Sequence, residues 1–208
     1  MVLPLEQLHF RRGVCVLADK RRAKGINKVI TSIFAPSFDY RKLKGKPRNV
    51  GGMPLHKARN RGKLIDRQIS SLVKNGTTRH ACEETKLLTA FFLETGIQLL
   101  GSQYCVGYAP WRLATQIDVI GQYKDTLLLI EVKRGCAYRF CSTGGTLQNG
   151  VTGDDSKFSQ HQLQLWLARC LFERSVPAAY PTPGLLLVYV DTHTVHAVWE
   201  SDFTITVD

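Results

Sequence analysis

The fold of this chain is limited above all by two short hydrophobic stretches that a brief connection joins. Residues 114–120 and 126–133 each have the length and the apolar content of a β-strand. Residues 121–125 between them are few enough to form a hairpin connection. The pattern therefore predicts two adjacent antiparallel strands. Both strands also contain charged residues where a purely structural strand needs none.

Other periodic segments surround this hairpin. Three helices are predicted, because apolar residues recur every three or four positions at 57–76, 81–93 and 159–174. Three further strands are predicted at 103–109, 184–190 and 194–199. The order is thus two helices, three strands, a helix and two strands. This order predicts an α/β domain, with a mixed central β-sheet flanked by helices.

The positive charge of the chain is concentrated at one end. The 208 residues carry a net charge of +11, but residues 1–63 hold 16 Lys or Arg against 3 acidic residues. We therefore predict a basic, partly ordered N-terminal extension at 1–56 and a domain at 57–208. Such an extension favours a polyanion such as DNA, because neutralising phosphates releases counterions. The alternative is a solvated arm without a specific partner.

Targeting and redox features point to an intracellular protein. No apolar run reaches the length of about 18 residues that indicates a membrane helix, and the N-terminus lacks the pattern of a signal peptide. Residues 20–24, KRRAK, resemble a nuclear localisation cluster. The six cysteines are scattered and are expected to be reduced. Neither His80 with Cys82 nor Cys136 with Cys141 has the spacing of a zinc site.

The charges of the hairpin suggest a metal site. Asp118 and Glu131 lie on adjacent predicted strands, so they approach one another and repel unless a cation lies between them. Carboxylate oxygens suit Mg²⁺ or Mn²⁺, and the Val132 carbonyl is a further candidate ligand. Lys133 shares the face of Glu131, where it can hold or deprotonate an attacking water, or stabilise the charge that develops on the phosphate. The alternative is a charged strand edge that prevents aggregation.

An acid on one strand and Glu-x-Lys on the next resembles the PD-(D/E)XK nuclease superfamily. The core of that superfamily is a helix, three antiparallel strands, a helix and a further strand, and the resemblance covers roughly residues 59–199. Ile117 precedes Asp118 where the motif has Pro. The resemblance implies a restriction-endonuclease-like core, DNA as the partner, and metal-dependent hydrolysis of phosphodiester bonds.

Two helices extend this resemblance. Residues 62–69, GKLIDRQI, are similar to the first core helix of the RecB-like and lambda-exonuclease-like branches, which implies Asp66 as a metal contact. Glu83 and Glu84 are the alternative acids. Residues 159–171 are similar to a helix that presents a Gln to the site. Two registers fit, and we prefer Gln164 with His161 over Gln162 with Trp166.

The sequence therefore predicts a Mg²⁺- or Mn²⁺-dependent DNA nuclease in DNA processing, recombination or repair, similar to small nucleases of large DNA viruses. The predicted catalytic residues are Asp118, Glu131, Lys133 and Gln164. The predicted metal ligands are Asp118, Glu131, Val132 and Asp66. The predicted DNA-contacting residues are Arg59, Arg61, Lys63, Arg134 and His161.

Several alternatives are left open by the sequence. The protein is an exonuclease, a structure-specific endonuclease of junctions or flaps, or a non-catalytic DNA-binding or packaging protein on a nuclease fold. The choice of DNA over RNA, the strand polarity and the oligomeric state are also open.

Overall fold

A computed structural model describes residues 9–11, 14–16, 22–33, 49–50, 53–135, 151–152, 156–176 and 180–207. The helices are α1 (Ile26–Ile33), α2 (Leu55–Asn75), α3 (Glu83–Thr95) and α4 (Lys157–Ser175). The strands are β1 (His9–Arg11), β2 (Val14–Val16), β3 (Lys24–Gly25), β4 (Asn49–Val50), β5 (Met53–Pro54), β6 (Gln98–Tyr108), β7 (Leu113–Tyr123), β8 (Thr126–Arg134), β9 (Val151–Thr152), β10 (Gly184–Val190), β11 (Val195–Trp199) and β12 (Thr206–Val207). The predicted order of helices and strands is therefore present from α2 to β11.

Six strands form one mixed sheet in the order β11-β10-β8-β7-β3, with β6 also paired to β7. β6, β7 and β8 run antiparallel as a meander, whereas β10 runs parallel to β8. Apolar side chains of α1 and α4 pack on one face of the sheet. Those of α2 and α3 pack on the other face. The predicted α/β class, with a mixed central sheet between helices, is confirmed.

The β7–β8 hairpin is tighter than the sequence indicates. Its ladder continues to Tyr123 opposite Thr126, so Lys124 and Asp125 form a two-residue turn. Gly121 is needed within β7, because a Cβ at this position would lie 2.9 Å from the Ile97 Cγ2. The observed connection has two residues rather than the predicted five, because β7 extends to Tyr123.

At its other end the hairpin opens into a fork. Its ladder stops at Val119 opposite Ile130, and the two strands then part. The first half of β7 pairs with β3, with Lys24 opposite Leu113, while the end of β8 stays paired with β10. We use the word fork for this opening between residues 113–118 of β7 and residues 131–134 of β8.

Alternation along β8 decides which side chains face which helices. Leu127 and Leu129 join the core beneath α4, while Ile130 and Val132 join the core beneath α2 and α3. Because successive residues of a strand point to opposite faces, Glu131 takes the face of α4. Val132 is buried in the core, as the sequence predicts.

Part of the predicted N-terminal extension belongs to the central fold. β3 is a strand of the main sheet, and α1 buries Ile26, Ile30 and Ile33 in the core beneath α4. Most of the remaining extension lies outside the described residues. Cys136, Cys141 and most of the glycine-rich stretch at 142–156 also lie outside them.

The described helices and cysteines have ordinary surroundings. Within the described ranges, no helix combines the length and the apolar character needed to span a bilayer. Cys82 and Cys170 are free thiols. The Cys82 Sγ lies 3.2 Å from the Thr85 hydroxyl oxygen.

A buried ion cluster joins α2 and α3 to the end of β8. The Glu84 side chain is fully buried, and its Oε2 accepts a 2.6 Å hydrogen bond from the Arg61 Nη2. The Arg134 Nε donates to the Glu84 Oε1 at 3.2 Å. Burial alone would raise the pKa of Glu84, but the hydrogen bonds from the arginines lower it to about 2. The cluster thus stabilises the position of Arg134, which directly follows Lys133.

We predict that Glu84→Gln lowers the free energy of unfolding by about 3 kcal/mol at neutral pH, because it leaves two arginines without their carboxylate. A urea titration measures this loss. The matched control is Glu83→Gln, which removes a 61% exposed side chain and should change the stability by less than about 0.5 kcal/mol.

The pH dependence of this loss has a defined sign. The pKa of Glu84 falls from 4.5 to about 2 on folding, so its contribution is full above pH 4.5 and disappears as the pH falls to about 2. The difference between wild type and Glu84→Gln should shrink over that range. Equal losses in Glu83→Gln and Glu84→Gln would contradict this assignment.

Candidate active site

The candidate site lies at the fork. Asp118 and Glu131 occupy the register position that follows the last ladder pair, Val119 with Ile130. There the Asp118 Oδ2 accepts a 3.0 Å hydrogen bond from the Val132 backbone N–H. A carboxylate therefore binds the backbone of the neighbouring strand where the ladder has stopped. The two acids lie on adjacent strands at the point where those strands separate.

Glu131 is the most enclosed charge at the fork. It is 3% exposed, and its Oε1 accepts a 2.5 Å hydrogen bond from the Gln164 Nε2 of α4. The Lys133 ammonium forms an ion pair with the same oxygen. Burial and the charge of Asp118 raise the pKa of Glu131 to about 7, although Lys133 and Gln164 oppose that shift.

Lys133 is a cation at neutral pH. Burial acts to lower its pKa, but the carboxylates of Glu131 and Asp118 outweigh burial and raise it. The side chain therefore supplies positive charge and donates hydrogen bonds. Of the roles predicted for Lys133, this protonation state favours holding a water or stabilising phosphate charge over deprotonating the water.

α2 brings a third acid to the same charges. Burial and the charge of Asp118 raise the pKa of Asp66 to about 6, while Lys133 acts to lower it. Asp66 is thus within electrostatic range of both fork residues. The alternative acids lie elsewhere, since Glu84 binds Arg61 and Arg134, and Glu83 pairs with Lys86 at the surface.

The register of α4 is defined by its contacts. Gln164 faces Glu131, whereas the Gln162 Oε1 accepts hydrogen bonds from the backbone N–H groups of Thr204 at 3.0 Å and Ile205 at 3.1 Å. Gln162 therefore anchors the C-terminal segment. The preferred pairing of Gln164 with His161 is the one that points toward the sheet face of Glu131.

His161 supports the site as a neutral side chain. Its Nδ1 lies 3.0 Å from the Tyr189 hydroxyl oxygen. Burial, and then the charges of Lys133 and Lys157, lower the pKa of His161 to about 3. A histidine that is neutral at physiological pH does not attract phosphate through charge. Its predicted contact with DNA is therefore limited to hydrogen bonding.

The basic residues predicted to contact DNA separate into two groups. Arg59 and Lys63 are exposed on α2. Arg61 and Arg134 instead donate to the buried Glu84. Arg61 and Arg134 therefore stabilise the fold through Glu84, and any contact with DNA would add to that structural role.

Gln103 is a site residue that the sequence did not reveal. It lies opposite Asp118 on β6, between the ladder pairs formed by Ser102 and Tyr104. Hydrogen bonding from its side chain acts to lower the pKa of Asp118. Its φ of 51° is uncommon for a residue other than glycine, and such strain often marks functional sites. The sequence offers no signal for it, because a glutamine at a strand position is ordinary.

The donor set fits a hard divalent cation. Asp66, Asp118 and Glu131 supply the carboxylate oxygens that such an ion prefers, and burial raises the pKa of each. Within the described residues, no three His, Cys, Asp or Glu side chains lie together in a group that could hold a metal ion. Binding an ion would exchange the Lys133–Glu131 ion pair for coordination by Glu131. The Val132 carbonyl stays a predicted ligand.

Comparison with family models and with curated proteins finds no match for this chain. The function of the chain is therefore inferred from the residues of the fork and from the helices that surround it.

We predict that Mn²⁺ raises the thermal unfolding midpoint of the protein, because an ion that binds the folded site stabilises it. Glu131→Gln should abolish this increase by removing a ligand charge. Asp125→Asn changes an exposed acid in the turn of the same hairpin and should leave the increase intact. Equal shifts in both variants would place the bound ion elsewhere.

Proposed function

We propose that this protein is a Mg²⁺- or Mn²⁺-dependent deoxyribonuclease that hydrolyses phosphodiester bonds. The observation that carries the proposal is the convergence of side chains at the fork. Two acids and a lysine come from adjacent strands, Asp66 comes from α2, and Gln164 comes from α4. Undercompensated buried acids reduce stability, so their presence favours a function.

A charged edge strand is a poor explanation for Glu131. β8 lies inside the sheet between β7 and β10, and Glu131 keeps a ladder partner, Leu187, on β10. Glu131 is also buried and held by Gln164, whereas residues that block aggregation project into solvent. The position of this acid therefore supports a site.

The topology supports the same proposal. A helix, the β6–β8 meander, α4 and a strand parallel to β8 follow one another in the order expected of a restriction-endonuclease-like core. The acid lies on the second strand of the meander and Glu-x-Lys on the third. Those are the positions that the PD-(D/E)XK resemblance implies.

The chain's own residues have distinct roles in this mechanism. Asp118, Glu131 and Asp66 would hold the ion, which supplies Lewis acidity and lowers the pKa of a bound water. Gln103 fixes Asp118, and Gln164 fixes Glu131. Lys133 donates to the attacking water or to a phosphate oxygen and offsets the negative charge that develops there.

The surroundings of Asp66 suit a phosphate backbone. A depression of about 600 Å³ is lined by Asn60, Lys63, Asp66 and Arg67. Two of these residues are cationic, so the depression presents positive charge beside the acid. This arrangement supports entry of DNA along α2 toward the fork.

We predict that Glu131→Gln and Lys133→Met each reduce cleavage of linear duplex DNA by at least about a hundredfold, because each removes charge that acts in the transition state. Asp125→Asn should retain activity. A gel assay with Mg²⁺ measures the rates. Full activity in Glu131→Gln or Lys133→Met would refute the proposed site.

The choice of substrate separates the remaining alternatives. Cleavage of a closed circle indicates an endonuclease, and preference for a branched junction or flap indicates a structure-specific one. Cleavage restricted to linear ends indicates an exonuclease. Wild-type protein that binds DNA but cuts none of these substrates with Mg²⁺ or Mn²⁺ would be a non-catalytic DNA-binding protein.

A further inference from the structure

An exposed tryptophan lies in the turn between β6 and β7. Trp111 is 45% exposed, and among the described residues it and Leu93 are the large hydrophobic side chains with high exposure. Burying an indole normally stabilises a fold, so an exposed one suggests a binding role. Leu93 lies on α3, whose apolar residues pack on the opposite face of the sheet from α4.

The indole is held by two neighbours. The Arg174 guanidinium lies 4.2 Å from the centroid of the Trp111 ring. The Tyr108 ring meets it edge-on at 5.2 Å between centroids, with an interplanar angle of 85°. The Arg174 Nη1 also donates to the Cys170 carbonyl oxygen, which restrains the guanidinium. The ring is thus pre-positioned, with one face against Arg174 and nearly half of the residue open to solvent.

Positive charge surrounds this aromatic group. Arg22, Lys24, Arg112 and Arg174 are exposed. β3 carries Lys24 next to the turn, where its backbone N–H donates to the Arg112 carbonyl oxygen at 2.8 Å. An aromatic ring flanked by cations matches a base flanked by phosphates.

We propose that Trp111, with Tyr108 and Arg174, is a stacking platform for an unpaired base of single-stranded DNA, with Lys24 and Arg112 binding the adjacent phosphates. Bases within a duplex are already stacked on their neighbours, so an indole face is available mainly to unpaired nucleotides. Stacking of this kind tolerates any base, because every base has a π-face.

The platform lies within reach of the fork along two elements. Asp118 lies five residues along β7 from Leu113, a distance of about 17 Å along the strand. Ten residues of α4 separate Gln164 from Arg174, or about 15 Å. A strand bound at Trp111 would therefore enter the fork within a few nucleotides. This inference deepens the proposed function and rests on it, because the fork is the place toward which the bound strand is directed. A strand so directed implies that the enzyme prefers DNA ends with unpaired nucleotides.

Binding is measured without cleavage, in EDTA, by fluorescence anisotropy. The probes are a labelled oligo-dT of about 12 nucleotides, which matches the site size of single-strand binders, and a blunt duplex hairpin. Trp111→Ala should weaken oligo-dT binding about tenfold, within the range for loss of one stacked base, and should change duplex binding less than about twofold. Trp111→Phe should recover most of the affinity. Leu93→Ala is the control and should bind as wild type.

A second measurement uses the unaltered chain, in case Trp111→Ala does not fold. Oligonucleotides with 5-bromodeoxyuridine should crosslink to Trp111 under ultraviolet light, as mapped by mass spectrometry of the peptides. Crosslinks confined to other residues, or unchanged oligo-dT affinity in folded Trp111→Ala, would overturn the platform. Equal losses for oligo-dT and duplex would overturn its selectivity for unpaired bases.

The outcomes also separate this inference from the nuclease proposal. Protein that binds oligo-dT through Trp111 but cuts no DNA retains the platform and loses the proposed function. Protein that cuts DNA through Glu131 but binds oligo-dT without Trp111 retains the function and loses the platform.

Discussion

The elements around the fork are arranged about buried negative charge. Asp118 and Glu131 meet where the β7–β8 ladder stops, Asp66 faces them from α2, and Lys133 is the cation that acts on all three. Burial makes this negative charge costly. Gln103 and Gln164 each hold one acid in place, so the surrounding elements maintain an arrangement that stability alone would not favour.

Two buried glutamates differ in how far neighbouring positive charge compensates the charge of their carboxylates. Glu84 receives hydrogen bonds from two arginines, and its pKa falls to about 2. Glu131 is equally enclosed, but it lies beside Asp118 and has one lysine, and its pKa rises to about 7. Glu84 therefore stabilises α2, α3 and β8. In the proposed function, a divalent cation would supply the positive charge that Glu131 lacks.

The local part of this arrangement could be predicted from the sequence, and the non-local part could not. Alternation in β8 and the short turn predict the hairpin and the shared face of Glu131 and Lys133. The pairing of β3 with β7 depends on contacts between distant segments, which no local pattern specifies. The role of Gln103 is hidden for the same reason, since it depends on the β6–β7 register that places Gln103 opposite Asp118. Two registers of α4 fit the sequence, and packing against the sheet places Gln164, the preferred residue, toward Glu131.

We propose that the fork binds a divalent cation through its acids. Crystals grown with Mn²⁺ and measured at the manganese absorption edge test it most directly. We expect an anomalous difference peak between the carboxylates of Asp118 and Glu131, with the Lys133 ammonium displaced from Glu131. A fork without anomalous density at saturating Mn²⁺, with the Lys133–Glu131 ion pair intact, would contradict the claim.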